Sequence, residues 1–462
     1  SPRDTLDFVV DTGLIEGMNN TTGVFIFLVI LGAFVCMINK TGATRAFGLW
    51  AQSHIKSRIG SQLATFFLGI LIFIDDYFNC LAVGSVMRPV TDAKRVSRAK
   101  LAFIIDATAA PVCMIAPISS WAAAVSQYSA GTGYNGLELF IQAIPYNFYS
   151  LLALCFVVML VLMRFDYGPM VRYERNAIMN GDVHTVQPEQ AMQEETHTDT
   201  HRGKLLDLIV PVLMLIGLET FALVYVGGIL EGKSFADALS ATDATVGLPW
   251  GAIIALVFSV AFYRIRGVLS FRAAMRCIPK GFIAMVPAIL ILTLATALKN
   301  VTTALEAREF IAYHMEHSAA GLVNFLPAVI FVVAGILAFS TGTSWATFGI
   351  LIPIVVSTFD PSSPLMFIGM SACLAGAVAG DHCSPISDTT IMSSAGAQCD
   401  HLSHVSTQLP YVLTVSAVSF AAFLLAGFVH NWFIVFPLAL ASLLITLLVL
   451  KKRSAKAQAD NA

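Results

Sequence analysis

Long apolar runs, separated by short polar stretches, make up almost the whole chain. About 20 consecutive apolar residues are enough for a helix to cross the hydrocarbon core of a bilayer. The runs predict membrane elements at about 22–38, 62–87, 101–128, 147–163, 205–229, 248–263, 282–298, 319–358, 364–397, 405–428 and 430–450. The pattern therefore predicts an all-α polytopic membrane protein.

The lysines and arginines of the short loops predict the orientation of these elements, because such residues concentrate on the cytoplasmic side. Both flanks of 62–87 are basic, with Lys40, Arg45, Lys56 and Arg58 before it and Arg88, Lys94, Arg95, Arg98 and Lys100 after it. This element is therefore expected to be a re-entrant hairpin, the first hairpin, with its tip near 74–79. The element at 319–358 fits a second hairpin that enters from outside, which gives nine crossings plus two hairpins.

Internal repetition supports this topology. The Pro-Ile-Ser triplet at 117–119 recurs at 385–387, and the stretch 74–89 can be laid over 338–353 so that Pro89 superposes on Pro353. The two copies are predicted to cross the membrane in opposite directions. Inverted-topology repeats with broken helices are typical of secondary transporters, whose sites lie near the bilayer midplane.

The repeat predicts a division of the chain into five parts. These are a first membrane repeat at 1–163, with hairpin 62–87 and broken helix 101–128; a cytoplasmic polar linker at 164–204; scaffold helices at 205–263; a second membrane repeat at 264–428, with hairpin 319–358 and broken helix 364–397; and a final helix with a cytoplasmic tail at 429–462. The linker is expected to be a flexible loop. The chain opens without methionine, and we expect an upstream segment to be missing.

Composition excludes a soluble globular protein. Of the 462 residues, 57% are hydrophobic and 12% charged, and the mean hydropathy is +0.76. The net charge of −2 gives no sign of a nucleic-acid partner, and we expect none. The eight cysteines are scattered singly, so no disulfide framework is expected. The protein is expected in the plasma (inner) membrane, with its C-terminus in the cytoplasm. The expected partners are the lipid bilayer and small cations, and the expected assembly is a homodimer.

The stretch 376–394, GAVAGDHCSPISDTTIMSS, carries the most unusual chemistry in the sequence. Asp381 and Asp388 lie inside an otherwise apolar run, and a charged side chain at mid-bilayer costs about 2.5–3.5 kcal/mol on insertion scales. Pro385 removes a helical hydrogen bond, so the helix is expected to break near 381–386 and to free backbone carbonyls. The two carboxylates at a break predict a functional site.

Four polar clusters should meet if the repeat is correct. They comprise Asp75, Asp76 and Asn79; Asp106, Thr108, Ser119 and Ser120; Thr341, Gly342, Thr343 and Ser344; and Asp381, His382, Ser384, Ser387, Asp388 and Thr389. Their oxygen atoms suit a hard cation such as Na⁺, for which the expected ligands are Asp381, Asp388, Asp76 and Asn79. A buried carboxylate that binds Na⁺ or H⁺, but not both, would support antiport. No cofactor is expected.

Structural alternatives exist for the same residues. Asp388 could simply cap the second half-helix, and Asp75 or Asp76 could cap a helix at the hairpin tip. Asp106 could make a buried structural hydrogen bond. His382, expected to be the only imidazole at membrane depth, is either a proton shuttle or a satisfied core histidine.

Several stretches resemble a known family. GDHCSPISDTT, FIDDYFN, DATAAPVCMIAPISSWAA and GTSWATFGILIP look like signature stretches of the NhaC family of Na⁺/H⁺ antiporters, in the larger ion-transporter superfamily. The resemblance extends from Gly23 to about Phe428. It implies Na⁺-linked exchange by an elevator motion of the hairpin-bearing domain, and it leaves the substrate open because relatives are linked to exchange of malate and lactate.

Other functions fit the sequence less well. An intramembrane protease would need a GxGD, HExxH or GxSxG motif, and none is present, so no enzyme is expected. A channel would need a repeated pore loop. The main rival is a Na⁺- or proton-coupled carrier of a small organic solute such as a dicarboxylate, lactate or an amino acid. No lysine or arginine is predicted near the site to pair with an anion, which favours a cation.

Overall fold

The computed structural model describes residues 2–43, 46, 50, 54–73, 76–117, 119, 121–122, 125, 134, 136–185, 203–242, 244–304, 323–360 and 362–460. This part of the chain is helical and contains no strand. Six of its helices are long and apolar enough to cross a membrane, and a seventh is added if the bent pair Glu138–Tyr146 and Phe148–Met163 forms one span. The expectation of an all-α, multi-pass membrane protein is confirmed.

The order of helices follows the predicted apolar runs. In chain order the α-helices are Pro2–Phe8, Glu16–Thr41, Arg58–Leu71, Asp76–Ala93, Arg98–Thr108, Ala110–Cys113, Gly136–Ala143, Phe148–Met163, Met170–Asn180, Leu206–Val226, Phe235–Ser240, Ala244–Ile265, Phe271–Met275, Cys277–Ala304, Leu326–Thr341, Ser344–Thr358, Pro364–Cys383, Asp388–Ala397, His401–Phe428 and Trp432–Asp460. The segment Val9–Ile15 is a π-helix, and short 3₁₀ turns occupy Ile144–Tyr146, Ile229–Glu231 and Val323–Phe325.

The first hairpin consists of the helices Arg58–Leu71 and Asp76–Ala93. The first helix starts where the Ser57 side chain accepts a hydrogen bond from the Gly60 amide at 2.9 Å, as a capping serine does. The Arg58 Nε atom donates to the carbonyl of Arg95 at 3.3 Å, so the start of one helix lies beside the end of the other. This placement is what a hairpin requires; its orientation in the membrane stays a prediction.

The second hairpin consists of Leu326–Thr341 and Ser344–Thr358 and packs against the second broken helix, Pro364–Cys383 plus Asp388–Ala397. The turn depends on Gly342, whose φ of 66° is in the left-handed region and whose α-carbon faces the Ile386 backbone. Helix Pro364–Cys383 is the centre of the packing, because 94% of its apolar stretch is buried inside the protein. In the final helix the buried share is 22%.

A close crossing joins the first hairpin to the second broken helix. Gly84 and Gly396 face each other so closely that a Cβ atom on either one would overlap backbone atoms of the opposite helix. Without side chains at the crossing, the two helix backbones can approach closely. Along the same contact, Cys80 Sγ lies 3.2 Å from Ser393 Oγ, and the Tyr77 hydroxyl reaches Asp388, so the starts of the two helices also lie side by side.

The expectation of a flexible loop at 164–204 is wrong for its first part. Residues 170–180 form a helix whose Glu174 pairs with Arg58 and accepts a hydrogen bond from the Ser97 amide at 2.8 Å. Tyr173 donates to Ser403 at 2.8 Å. The insert thus connects the first hairpin, the first broken helix (Arg98–Thr108 and Ala110–Cys113) and the helix His401–Phe428. Residues 186–202 lie outside the described residues.

The hairpin orientation leads to a labelling prediction. In a variant without the eight native cysteines, Lys56→Cys and Ala93→Cys, both at exposed positions, should react with an impermeant thiol reagent from the cytoplasmic side only. Basic residues on both flanks are the reason. Asn431→Cys, in the loop before the final helix, is the control and should react from outside. Labelling of positions 56 and 93 from opposite sides would rule out the hairpin.

Candidate functional site

The second broken helix is interrupted at 384–387, which overlaps the predicted break. The first half ends where the Ser384 amide donates to the carbonyl of Asp381 at 2.9 Å. The second half begins at Asp388, and the Ser387 hydroxyl caps it by accepting a hydrogen bond from the Thr390 amide at 3.1 Å. Asp388 therefore starts the second half-helix, as the structural alternative expected, but Ser387 is the capping residue. One oxygen of Asp388, Oδ2, does not bond the helix backbone.

Both hairpins meet at Asp388, which is fully buried. The Tyr77 hydroxyl, from the first hairpin, donates to Asp388 Oδ2 at 2.6 Å. The backbone amide of Asp388 donates to the carbonyl of Gly342, at the tip of the second hairpin, at 3.3 Å. Asp388 Oδ1 accepts from the Thr389 amide at 2.7 Å. Asp388 therefore lies at the junction of the three broken or hairpin elements.

Thr389 links Asp381 to Asp388, because it donates a hydrogen bond to each of the two carboxylates. The Thr389 hydroxyl donates to Asp381 Oδ2 at 2.8 Å. The other oxygen, Asp381 Oδ1, is buried and has no hydrogen-bond partner in the described part of the chain. A buried polar atom without a partner is rare in proteins and marks a position where a ligand or ion can bind. Asp381 Oδ1 is thus a free oxygen ligand beside a second carboxylate.

Asp76 and Asn79 lie in the first turn after the first hairpin's tip. Asp76 accepts from Trp121 Nε1 at 3.0 Å with Oδ2 and from the Tyr77 amide at 3.2 Å with Oδ1. Asn79 Nδ2 lies within 2.7–3.1 Å of three backbone carbonyls, those of Gly69, Ile72 and Thr108. Asn79 therefore holds the hairpin tip against the break of the first broken helix, while its buried Oδ1 has no described partner.

Asp106 is surrounded by donors instead. Its oxygens accept from Thr390 at 3.2 Å, Ser393 at 3.1 Å and Gln408 at 2.7 Å, and His404 Nε2 lies 3.3 Å away. Such saturation supports the structural alternative for Asp106, which binds three helices together.

His382 lies beside this group. Its Nδ1 is 2.9 Å from the Tyr149 hydroxyl, and its Nε2 is 3.9 Å from Asp106 Oδ1. The expectation that His382 is the only deep imidazole is wrong, because His404 is fully buried as well. Gln408 also bonds the carbonyl of His382 at 2.8 Å.

Among the remaining predicted residues, Thr341 donates to the carbonyl of Leu337 and Ser119 to that of Cys113, both within their own segments. Ser384 instead donates to the carbonyl of Phe339, which joins the second broken helix to the second hairpin. Ser344 Oγ is buried without a described hydrogen bond at the tip of the second hairpin. No described contact joins Ser119 to the carboxylates. Asp75 and Ser120 lie outside the described residues.

Sequence reasoning missed the partners that orient the carboxylates: Tyr77, Trp121, His404 and Gln408. Lys100 is buried and pairs with Asp166, an acceptor shared with the Tyr411 hydroxyl. No described contact joins Lys100 to the site carboxylates, so the expectation of no basic residue near the site stays a prediction. Tyr77 lies inside the quoted stretch FIDDYFN; pairings between distant segments leave no signal in one sequence.

A comparison with models of protein families shows to which family the chain belongs. The model of the Na⁺/H⁺ antiporter family matches residues 120–428. The chain belongs to this family. The resemblance to the NhaC antiporters is thereby confirmed, and the second hairpin and the second broken helix lie inside the matched range.

Three relatives extend the comparison. An uncharacterized protein of Haemophilus influenzae is 36% identical over 94% of this chain and 84% of its own length. A malate-2H⁺/Na⁺-lactate antiporter of Bacillus subtilis is 31% identical over 22% of this chain and 21% of its own length. The arginine/ornithine antiporter ArcD of Halobacterium salinarum is 32% identical over 23% of each chain. The last two resemblances cover short segments.

The saturated environment of Asp106 leads to a stability prediction. Asp106→Ala should lower the free energy of unfolding by about 3 kcal/mol or more, because several buried donors lose their acceptor at once. The thermal unfolding midpoint of the purified protein measures the loss. Asp360→Ala is the control, since Asp360 is exposed and its carboxylate bonds only with neighbouring Ser362 in the described structure. An Asp106→Ala midpoint equal to that of the control would contradict the structural role.

Proposed function

We propose that the protein is a secondary transporter that exchanges Na⁺ (or Li⁺) for H⁺ across the plasma membrane and is not an enzyme. The observation that carries the proposal is the buried Asp381 Oδ1, which lies next to Asp388 and has no hydrogen-bond partner among the described residues. The two carboxylates are joined through Thr389, whose hydroxyl donates to Asp381 and whose backbone amide donates to Asp388. They give a site with excess negative charge in an apolar interior. Burial makes that charge costly, so binding of a cation or a proton stabilises the site.

The oxygen ligands of the proposed site come from two elements. Asp381, Asp388 and Thr389 belong to the second broken helix, and Asn79 Oδ1 and Asp76 belong to the first hairpin. Hydroxyl, amide and carboxylate oxygens suit a hard cation. The nearest buried lysine, Lys100, is paired with Asp166, so it does not neutralise these carboxylates. Na⁺ and H⁺ therefore compete for the same oxygens.

Alternating access is proposed to follow from the contacts of Asp388 with both hairpins. The Tyr77 hydroxyl and the Gly342 carbonyl approach Asp388 from different hairpins. A change in the charge of the Asp388 carboxylate alters its bond with Tyr77, and the backbone amide of the same residue is bonded to the second hairpin. Asp388 thus gives ion binding a means to shift the hairpins. The inverted repeat and the elevator motion are part of this proposal, as are the cytoplasmic C-terminus and the homodimer.

A small organic solute is the second candidate substrate. Ser344 Oγ is buried and has no described hydrogen bond, and it can donate to a carboxylate. The names of two relatives, a malate/lactate antiporter and an arginine/ornithine antiporter, agree with such a substrate. In proteoliposomes, a response to Na⁺ only when a dicarboxylate, lactate or an amino acid is supplied would favour this candidate over Na⁺/H⁺ exchange.

The carboxylates are the first test of the proposed site. In proteoliposomes with an internal pH dye and an imposed pH gradient, NaCl alone should release the gradient. Asp381→Asn and Asp388→Asn should each reduce the initial rate of gradient release at least about tenfold. The neutral amide does not take up a proton, and it has no negative charge with which to attract Na⁺.

The matched control is Asp360→Asn, in the loop before helix Pro364–Cys383. Hydrogen bonds from the Ser362 hydroxyl and amide lower the pKa of the Asp360 carboxyl, so this control also removes a negative charge, but far from the site. Its rate should equal that of the unchanged protein. Full transport by either site variant would remove that residue from the cation site.

Competition between the two ions gives a pH prediction. Protonation of a shared carboxylate excludes Na⁺, so the Na⁺ concentration for half-maximal exchange should rise by about tenfold for each pH unit once protons occupy the site. The measurement is a series of NaCl titrations of the dye signal at decreasing pH. A half-maximal concentration that stays constant over the whole range would show that the ions use different groups.

A further inference from the structure

Tyr77 is the contact between the first hairpin and the proposed cation site. It follows Asp76 at the start of helix Asp76–Ala93, and 7% of its surface is exposed. Its hydroxyl donates to Asp388 Oδ2 across 2.6 Å, a short distance typical of a hydroxyl bonded to a charged carboxylate. Neither the family match, which begins at residue 120, nor the polar clusters of the sequence include this residue.

The two oxygens of Asp388 are held from different sides. Oδ1 accepts from the Thr389 amide, which belongs to the same half-helix and moves with it. Oδ2 accepts from Tyr77, which belongs to another element. A carboxylate oxygen has room for two partners, so both oxygens keep a position for a cation. Tyr77 thus fixes the rotation of the carboxylate without filling the site.

We propose that Tyr77 is a positioning residue of the cation site, which orients Asp388 for the ion and makes ion binding depend on the docking of the first hairpin. The proposal rests on the proposed Na⁺ exchange. A carboxylate that is already oriented loses less freedom when the ion binds. Removing the hydroxyl should therefore weaken Na⁺ binding more than it changes the rate of the saturated transporter.

Tyr77→Phe tests this role, because it removes one oxygen and keeps the ring. In proteoliposomes at alkaline pH, where protons compete least, the NaCl concentration for half-maximal exchange should rise on the order of tenfold, the effect of losing a hydrogen bond to a charged group. The maximal rate should stay within about twofold. Tyr167→Phe is the matched control: it also loses a hydroxyl bond, to Thr414 at 2.8 Å, and should keep the original Na⁺ dependence.

A binding measurement separates positioning from a purely structural role. NaCl, compared with choline chloride, should raise the thermal unfolding midpoint of the purified protein, since a bound ligand stabilises the folded state. Tyr77→Phe should need about tenfold more NaCl for the same rise. A lower midpoint with an unchanged NaCl dependence would overturn the positioning role. Absence of any Na⁺ response in the unchanged protein would instead reject the proposed function itself.

Discussion

The cost of placing carboxylates in an apolar interior is the constraint on which the rest of this structure depends. Asp381 and Asp388 are fully buried, and each must be compensated by hydrogen bonds, by a cation or by a proton. A continuous helix has no free backbone groups to offer. The interruption at 384–387 and the hairpin turn at Gly342 provide such groups, because irregular backbone leaves amides and carbonyls available.

The buried acids are compensated to different degrees, and this difference separates their roles. Asp106 receives three hydroxyl or amide donors and faces two imidazoles, so it joins helices from both halves of the chain. Asp381 receives the Thr389 hydroxyl, and its Oδ1 has no hydrogen-bond partner in the described part of the chain. A saturated carboxylate has little to gain from an ion, whereas an unsaturated one gains much. The proposed site therefore includes the less satisfied of these two acids.

Close backbone contacts make this network possible. Gly84 and Gly396 allow the first hairpin and the second broken helix to cross without intervening side chains. The short distance between these helices lets Tyr77 reach Asp388 and lets Cys80 reach Ser393. The insert at 164–185 holds the other end of the hairpin through Glu174 and Arg58. Both ends of the first hairpin are thus fixed by residues far away in the sequence.

The sequence by itself determined the membrane class, the helical elements, the location of the second break and the presence of two buried acids beside it. These features depend on local composition: an apolar run must be helical in lipid, and a proline between two buried acids interrupts it. The tertiary structure decided which acid is satisfied, because the donors to Asp106 and Asp388 come from segments about 280–310 positions away. It also decided that the insert contains a packed helix and that Lys100 pairs with Asp166. Pairings over such distances depend on how helices cross, and one sequence carries no record of that geometry.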